Sequence, residues 1–111
     1  MDILQHAAHT EELYGVSALD IHKWIDQYFN KWKYGLLIFT GNKDIYNPYE
    51  HRKHLHHKGA LPLALKEFEG KYPPEIIKEV FLQHLKDDYQ GYIPDKKDHE
   101  DPVFIKKYHP W

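Results

Sequence analysis

The chain is expected to be all-α, a compact bundle of four or five helices with an extended C-terminal tail. Apolar residues recur at three- and four-residue steps in several windows, and no segment sustains the two-residue alternation of a half-buried strand. There is no internal repeat or low-complexity tract. With 111 residues and 41% hydrophobic content, the chain can build one modest core but hardly a second. The expected organisation is one helical domain over residues 1–94, with residues 95–111 docked on it.

From Ile3 to Tyr14 the pattern predicts a short helix with Leu4, Ala7, Ala8 and Leu13 facing inward and Gly15 as its stop. Ser17-Ala18-Leu19-Asp20 resembles a capping box with Asp in place of Glu or Gln. It opens a long helix in which Ile21, Trp24, Ile25, Tyr28, Trp32, Leu36 and Phe39 draw one broad apolar face, ended by Gly41-Asn42. Asn47-Pro48-Tyr49-Glu50 is a strong start signal: Asn can cap, Pro suits the first helical position, and Glu follows three residues after the cap. That helix carries His51 to Gly59 and can continue towards Gly70, with Pro62 either bending or dividing it. Tyr72-Pro73-Pro74-Glu75 begins a further helix bearing Ile76, Ile77, Val80, Phe81 and Leu85, stopped near Gly91. Beyond Tyr92 the richness in Pro, Asp and Lys reads as extended chain, docked through Phe104, Ile105, Tyr108 and Trp111.

Charge and composition exclude several classes. A net charge of −2, with acids and bases interspersed, leaves no basic stripe for nucleic acid. No window approaches the ~20 apolar residues of a membrane span, and the N-terminus lacks a signal-peptide pattern, so a cytoplasmic location is expected. With no cysteine, any transition metal must be held by imidazole and carboxylate.

Ten histidines make that possibility concrete. On a helical wheel His84 and Asp88 fall on the apolar face of the last helix, one turn apart, so two polar groups point at the core. Burying them without partners would cost on the order of several kcal/mol. A structural His–Asp pair would answer that demand for one helix. But His22 and Asp26 repeat the i, i+4 spacing on a second helix, and His51, His54, His56 and His57 populate a third. His51 and His54 can share an inner face, whereas His56 and His57 diverge by ~100°. Facing helices of a bundle assemble metal sites in this way.

The ordered series formed by His6 and Gly15, then Ile21, His22, Trp24 and Asp26, then His51, Arg52, His56 and His57, then Gln83, His84 and Asp88, then Gly91, Ile93 and Pro94 resembles a small uncharacterised bacterial and phage family of unknown function. It spans nearly the whole chain. The spacer before Gly91 is one residue longer than that family's, and His54 has no counterpart there. The resemblance supports a site and implies no reaction. At the level of fold, His51, His56-His57 and Asp88 are also similar in order to the ligands of the HD phosphohydrolases, although no His-Asp dipeptide is present.

The expected metal ligands are therefore His22, His51, His56, His57, His84 and Asp88, around a divalent ion: zinc, iron, manganese or nickel. If the protein is an enzyme, a metal-dependent hydrolase of phosphate-containing substrates is expected, with Asp26 taking a proton from metal-bound water and Arg52 gripping a small anionic ligand. The alternatives are a non-enzymatic binding or inhibitor protein whose cluster is structural or grips a polar ligand, and a histidine-based pH switch.

Overall fold

A computed structural model describes residues 3–42, 44, 46, 47, 49 and 51–108. Among these, seven α-helices and no β-strand occur: α1 (Ile3–Tyr14), α2 (Leu19–Ile25), α3 (Lys31–Thr40), α4 (Arg52–Leu55), α5 (Leu61–Glu67), α6 (Pro74–Asp88) and α7 (Pro102–Lys107). Single 3-10 turns, Lys58–Ala60 and Lys96–Glu100, precede α5 and α7. The all-α class holds, and none of these helices is long and apolar enough to cross a membrane.

The longest helix organises the rest. Pro74 sits in the first turn of α6, where a missing N–H costs nothing, and α1, α2 and α5 all pack against this helix. Ile77, Val80, Phe81 and Leu85 of α6 meet Ile21 and Ile25 of α2, Leu55 of α4, Ala60, Ala64 and Phe68, with Tyr89 closing the cluster. Tyr89 ends the helix, and Gln90 and Gly91 then turn the chain through positive φ.

Several expectations require correction. The long helix from Ile21 to Phe39 is two helices: α2 ends at Asp26, and Asn30 caps α3 by accepting a bond from the Lys33 N–H at 3.0 Å. A side-chain cap supplied mid-pattern won over apolar periodicity. The capping box at Ser17 does not form; Ala18 precedes α2 in a left-handed conformation, and Asp20 Oδ1 accepts from the Ile21 N–H and the Tyr72 hydroxyl. In α1 the inner face carries His6, Ala7 and Thr10, while Leu4 and Leu13 face solvent. Pro62 divides rather than bends, since it lies in the first turn of α5. Of the start signal at Asn47, the Asn47 side chain accepts from the Tyr49 N–H, but α4 begins only at Arg52; Pro48 and Glu50 lie outside the described residues.

The segment read as extended is helical. Asp95 and Asp98 form a reciprocal capping box, and Asp101 caps α7 by accepting from the Val103 N–H, with Pro102 at the first position. Asp and Pro here act as helix starters, not as breakers. Phe104 and Tyr108 pack against the core; Trp111 lies outside the described residues.

Candidate metal centre

Helices α1, α2 and α6 and the short α4 converge on a buried polar cluster. Asp26 terminates α2, His51 and His56 flank α4, and His84 and Asp88 lie one turn apart on α6. Three sets are close enough to share an ion: Asp26, His51 and His56; His56, His84 and Asp88; and His6, His22 and His84.

The first two sets meet around the His56–His84 edge. His56 Nε2 lies 3.0 Å from Asp26 Oδ1, 3.3 Å from Asp88 Oδ2 and 3.2 Å from His84 Nε2. His84 Nε2 lies 3.5 Å from Asp26 Oδ1 and 3.3 Å from Asp88 Oδ2. Ligands about 2.0–2.1 Å from one ion stand roughly 3.0 Å apart in cis octahedral and 3.4 Å apart in tetrahedral geometry. The five spacings bracket those values. His51 Nε2 stands further out, 3.8 Å from Asp26 Oδ1.

The third set has a different geometry. The rings of His6 and His84 stack with centroids 3.8 Å apart, and His22 stacks alongside within 25° of both planes. Imidazole lone pairs lie in the ring plane, so near-parallel rings do not converge on one point. His22 Nδ1 is instead 2.8 Å from His84 Nδ1, a hydrogen-bond distance.

Proton positions in that chain follow from its donors and acceptors. Thr10 gives its hydroxyl hydrogen to the His6 carbonyl at 2.9 Å, so its oxygen accepts from His22 Nε2–H at 2.7 Å. Burial, with His84 and His6 beside it, lowers the His22 pKa to about 3, so this ring is neutral and its Nδ1 accepts from His84 Nδ1–H. His84 Nε2 is then left facing two carboxylates and His56. A bare lone pair in that position is repelled, so the site requires a cation there, either a proton or a metal ion.

Electrostatics express the same demand. Burial alone would discharge His84, but its hydrogen bonds to the Asp26 and Asp88 carboxylates, with their negative charge, outweigh it and raise its pKa to about 9. Burial opposes the Asp26 and Asp88 charges, and is outweighed by His56 and His84, joined at Asp88 by His6; both carboxyls are held well below their usual range.

A second layer orients the first. His6 Nε2–H donates to Asp88 Oδ1 at 3.1 Å, and an Arg52 amino group lies 4.0 Å from the same oxygen, leaving Oδ2 turned to His56 and His84. Arg52 also donates to the Tyr108 carbonyl at 3.0 Å, with its guanidinium beside the Tyr49 and Tyr89 rings. The position of His56 is set by its backbone, whose carbonyl accepts from His99 Nε2–H at 2.5 Å.

Of the residues expected to bind metal, His56, His84 and Asp88 come together, His51 stands at the edge, and His22 lies behind His84. His57 does not join them: it donates to the His54 carbonyl and lies edge-on to His99. Asp26, expected as a proton acceptor, stands among the ligand atoms. His6, Thr10 and His99 were not among the expected site residues. His6 and Thr10 share an i, i+4 face with the pattern of α6, a signal masked by the inward placement given to Leu4 and Leu13; His99, in the segment read as tail, carried none.

No family model, curated protein or solved structure matches the chain.

Proposed function

We propose that this chain is a divalent-metal protein whose ion is held by His56, His84, Asp26 and Asp88, with His51 at the open edge. The observation that carries this reading is the Thr10–His22–His84 chain, which aims the His84 Nε2 lone pair at two carboxylates and a second imidazole. A proton on His84 and the Nε2–H of a neutral His56 can both be taken up by the carboxylates, but the two N–H groups then face each other at 3.2 Å, whereas a metal ion satisfies both nitrogens at once. Two imidazoles and two carboxylates without sulfur suit zinc, iron, manganese or nickel. Elemental analysis of protein purified without an affinity tag is expected to find one equivalent of such a metal, lost in the His84→Ala protein. Metal-free protein that also fails to take up zinc or manganese on dialysis would sink the proposal.

Hydrolysis of a small phosphate-containing substrate is the finer reading. Side chains of Asp26 and His51 are 15% and 9% exposed, while His56 and His84 are fully buried, so water or a phosphate oxygen would arrive at the Asp26 edge. A bound divalent ion lowers the pKa of its water towards ~7, and Asp26 stands where it can take the proton. Arg52 supports Asp88 as it stands and grips an anion only by releasing the Tyr108 carbonyl. Metal-loaded protein is expected to cleave members of a phosphomonoester, phosphodiester and nucleotide panel, and Asp26→Asn, which removes a ligand as well as the proton acceptor, to lose turnover and weaken metal binding together. A second reading, a structural ion in a non-enzymatic binding protein, is favoured by closure: Asp88 is only 3% exposed, and the groove of about 310 Å³ lined by Leu65, Lys66, Tyr72 and Ile77 shares no residue with the cluster. Loss of thermal stability on chelation, without turnover on any substrate, would favour it.

A further inference from the structure

The α3 helix presents apolar side chains to solvent. Trp32 and Phe39 are 88% and 90% exposed, Ile38 66% and Leu36 52%, while only Leu37 is buried. At 100° per residue, Trp32, Gly35, Leu36 and Phe39 occupy one face and Leu37 points the other way. No charged residue lies on that face; Lys31 and Lys33 flank it. A Cβ added to Gly35 would meet nothing within 4 Å, so backbone is exposed at the middle of the face.

We infer that this face is the contact between two copies of the chain, with α3 packed antiparallel on the partner's α3 about a two-fold axis. The residue spacing is self-complementary. An axis passing between Gly35 and Leu36 sets Trp32 against the partner's Phe39, and Leu36 against the gap at the partner's Gly35, with both contacts repeated by symmetry. Large side chains thus meet at the two ends and a knob enters a hole at the centre, where glycine lets the helices approach. The area is also of the right size. The three large side chains of the face offer roughly 500 Å² per chain at these exposures, and a pair would bury about 1,000 Å² in total, the least that a biological interface needs. A monomer rarely leaves more than a few hundred Å² of contiguous apolar surface open. A membrane surface suits the face less well, because the chain carries a net charge of −2 and only two lysines stand beside it.

Sedimentation equilibrium of the full chain across the micromolar range is expected to show a monomer–dimer equilibrium. The double substitution Leu36→Glu, Phe39→Glu is expected to weaken association about 100-fold or more, with helical circular dichroism and metal content unchanged because neither side chain is in the core. Gly35→Leu adds apolar surface and helix propensity without touching the monomer's interior, yet is expected to weaken dimerisation by about tenfold; stronger association of this variant would indicate unspecific stickiness and overturn the proposal. A wild-type monomer throughout the range overturns it, as does a dimer that the double variant leaves intact. So does a monomer that partitions onto phosphatidylcholine vesicles through Trp32 and Phe39, which would assign the face to a membrane.

Discussion

Helices α6 and α3 carry similar apolar periodicity and do opposite things with it. In α6 the apolar face is the core, and it takes His84 inside with it; in α3 the face bearing Trp32, Leu36 and Phe39 looks outward. Periodicity reports that a segment is a helix with two unlike faces. Which face lies inside is decided by neighbours: α6 is packed by α1, α2 and α5, while α3, after its capped break, buries Leu37 and contributes no other residue to the core among the described residues. The buried polar side chains of α6 carry the proposal of a bound cation, and the exposed apolar ones of α3 carry that of a partner.

The sharpest break of that contrast is in α6. His84→Leu replaces a buried imidazole by an apolar side chain of similar size and leaves Asp26 and Asp88 with His56 as their one shared imidazole. It is expected to cost roughly 3–5 kcal/mol in urea-unfolding stability and to abolish metal uptake. Nearly as large is ion removal: at a free metal concentration about 100 times Kd the ion stabilises by about 2.7 kcal/mol, so chelation is expected to lower Tm by more than about 10 °C in a domain of this size.

A smaller effect tests the second layer. Thr10→Val removes the acceptor that holds His22 Nε2–H and so loosens the His84 tautomer; a loss of about 10- to 100-fold in metal affinity is expected, read by competition with a chromophoric chelator. Unchanged affinity would detach Thr10 from the site.

The pH dependence of the metal-free protein separates the members of the cluster. His84, raised to about 9, contributes stability that is full below its unfolded value near 6.5 and is lost as pH climbs through 9. His22 and His99, lowered to about 3 and about 4, contribute stability present above 6.5 and lost as pH falls towards those values. Asp26 and Asp88 lose theirs only below about 3.8. Stability of the stripped protein is thus expected to peak near pH 6.5, and metal to flatten the alkaline limb by replacing the His84 proton. The smallest effect belongs to α3: Leu36→Gln is expected to change monomer stability by less than about 0.5 kcal/mol, in contrast to any truncation on the inner face of α6.

The all-α class, the bounds of α6 and the inward aim of His84 and Asp88 were legible in the residues, because a strongly periodic helix with Pro at its start and polar groups on its apolar face admits few placements; which of the histidines from 51 to 57 would face them was not. The α2–α3 break was not: Asn30 looks like any polar residue on a long helix until its side chain is seen on the Lys33 N–H. Nor was the inward turn of α1, where His6 and Thr10 displaced two leucines because partners for polar groups were available inside. The reversal of the C-terminal segment from extended to helical rested on Asp95 and Asp101, cap residues that composition alone reads as loop.

That segment also governs how firmly His56 is seated. His56 follows a helix of four residues, too short to be stiff by itself, and is anchored from outside by the His99 ring, which the Tyr49 hydroxyl holds at 2.6 Å. Arg52 reaches the same segment at Tyr108. The seating of His56 and the docking of residues 96–108 therefore form one mechanical unit: if the cluster holds an ion as proposed, whatever peels that stretch away, whether cleavage, a substitution at His99 or a competing ligand, would release it without touching a single atom that holds it.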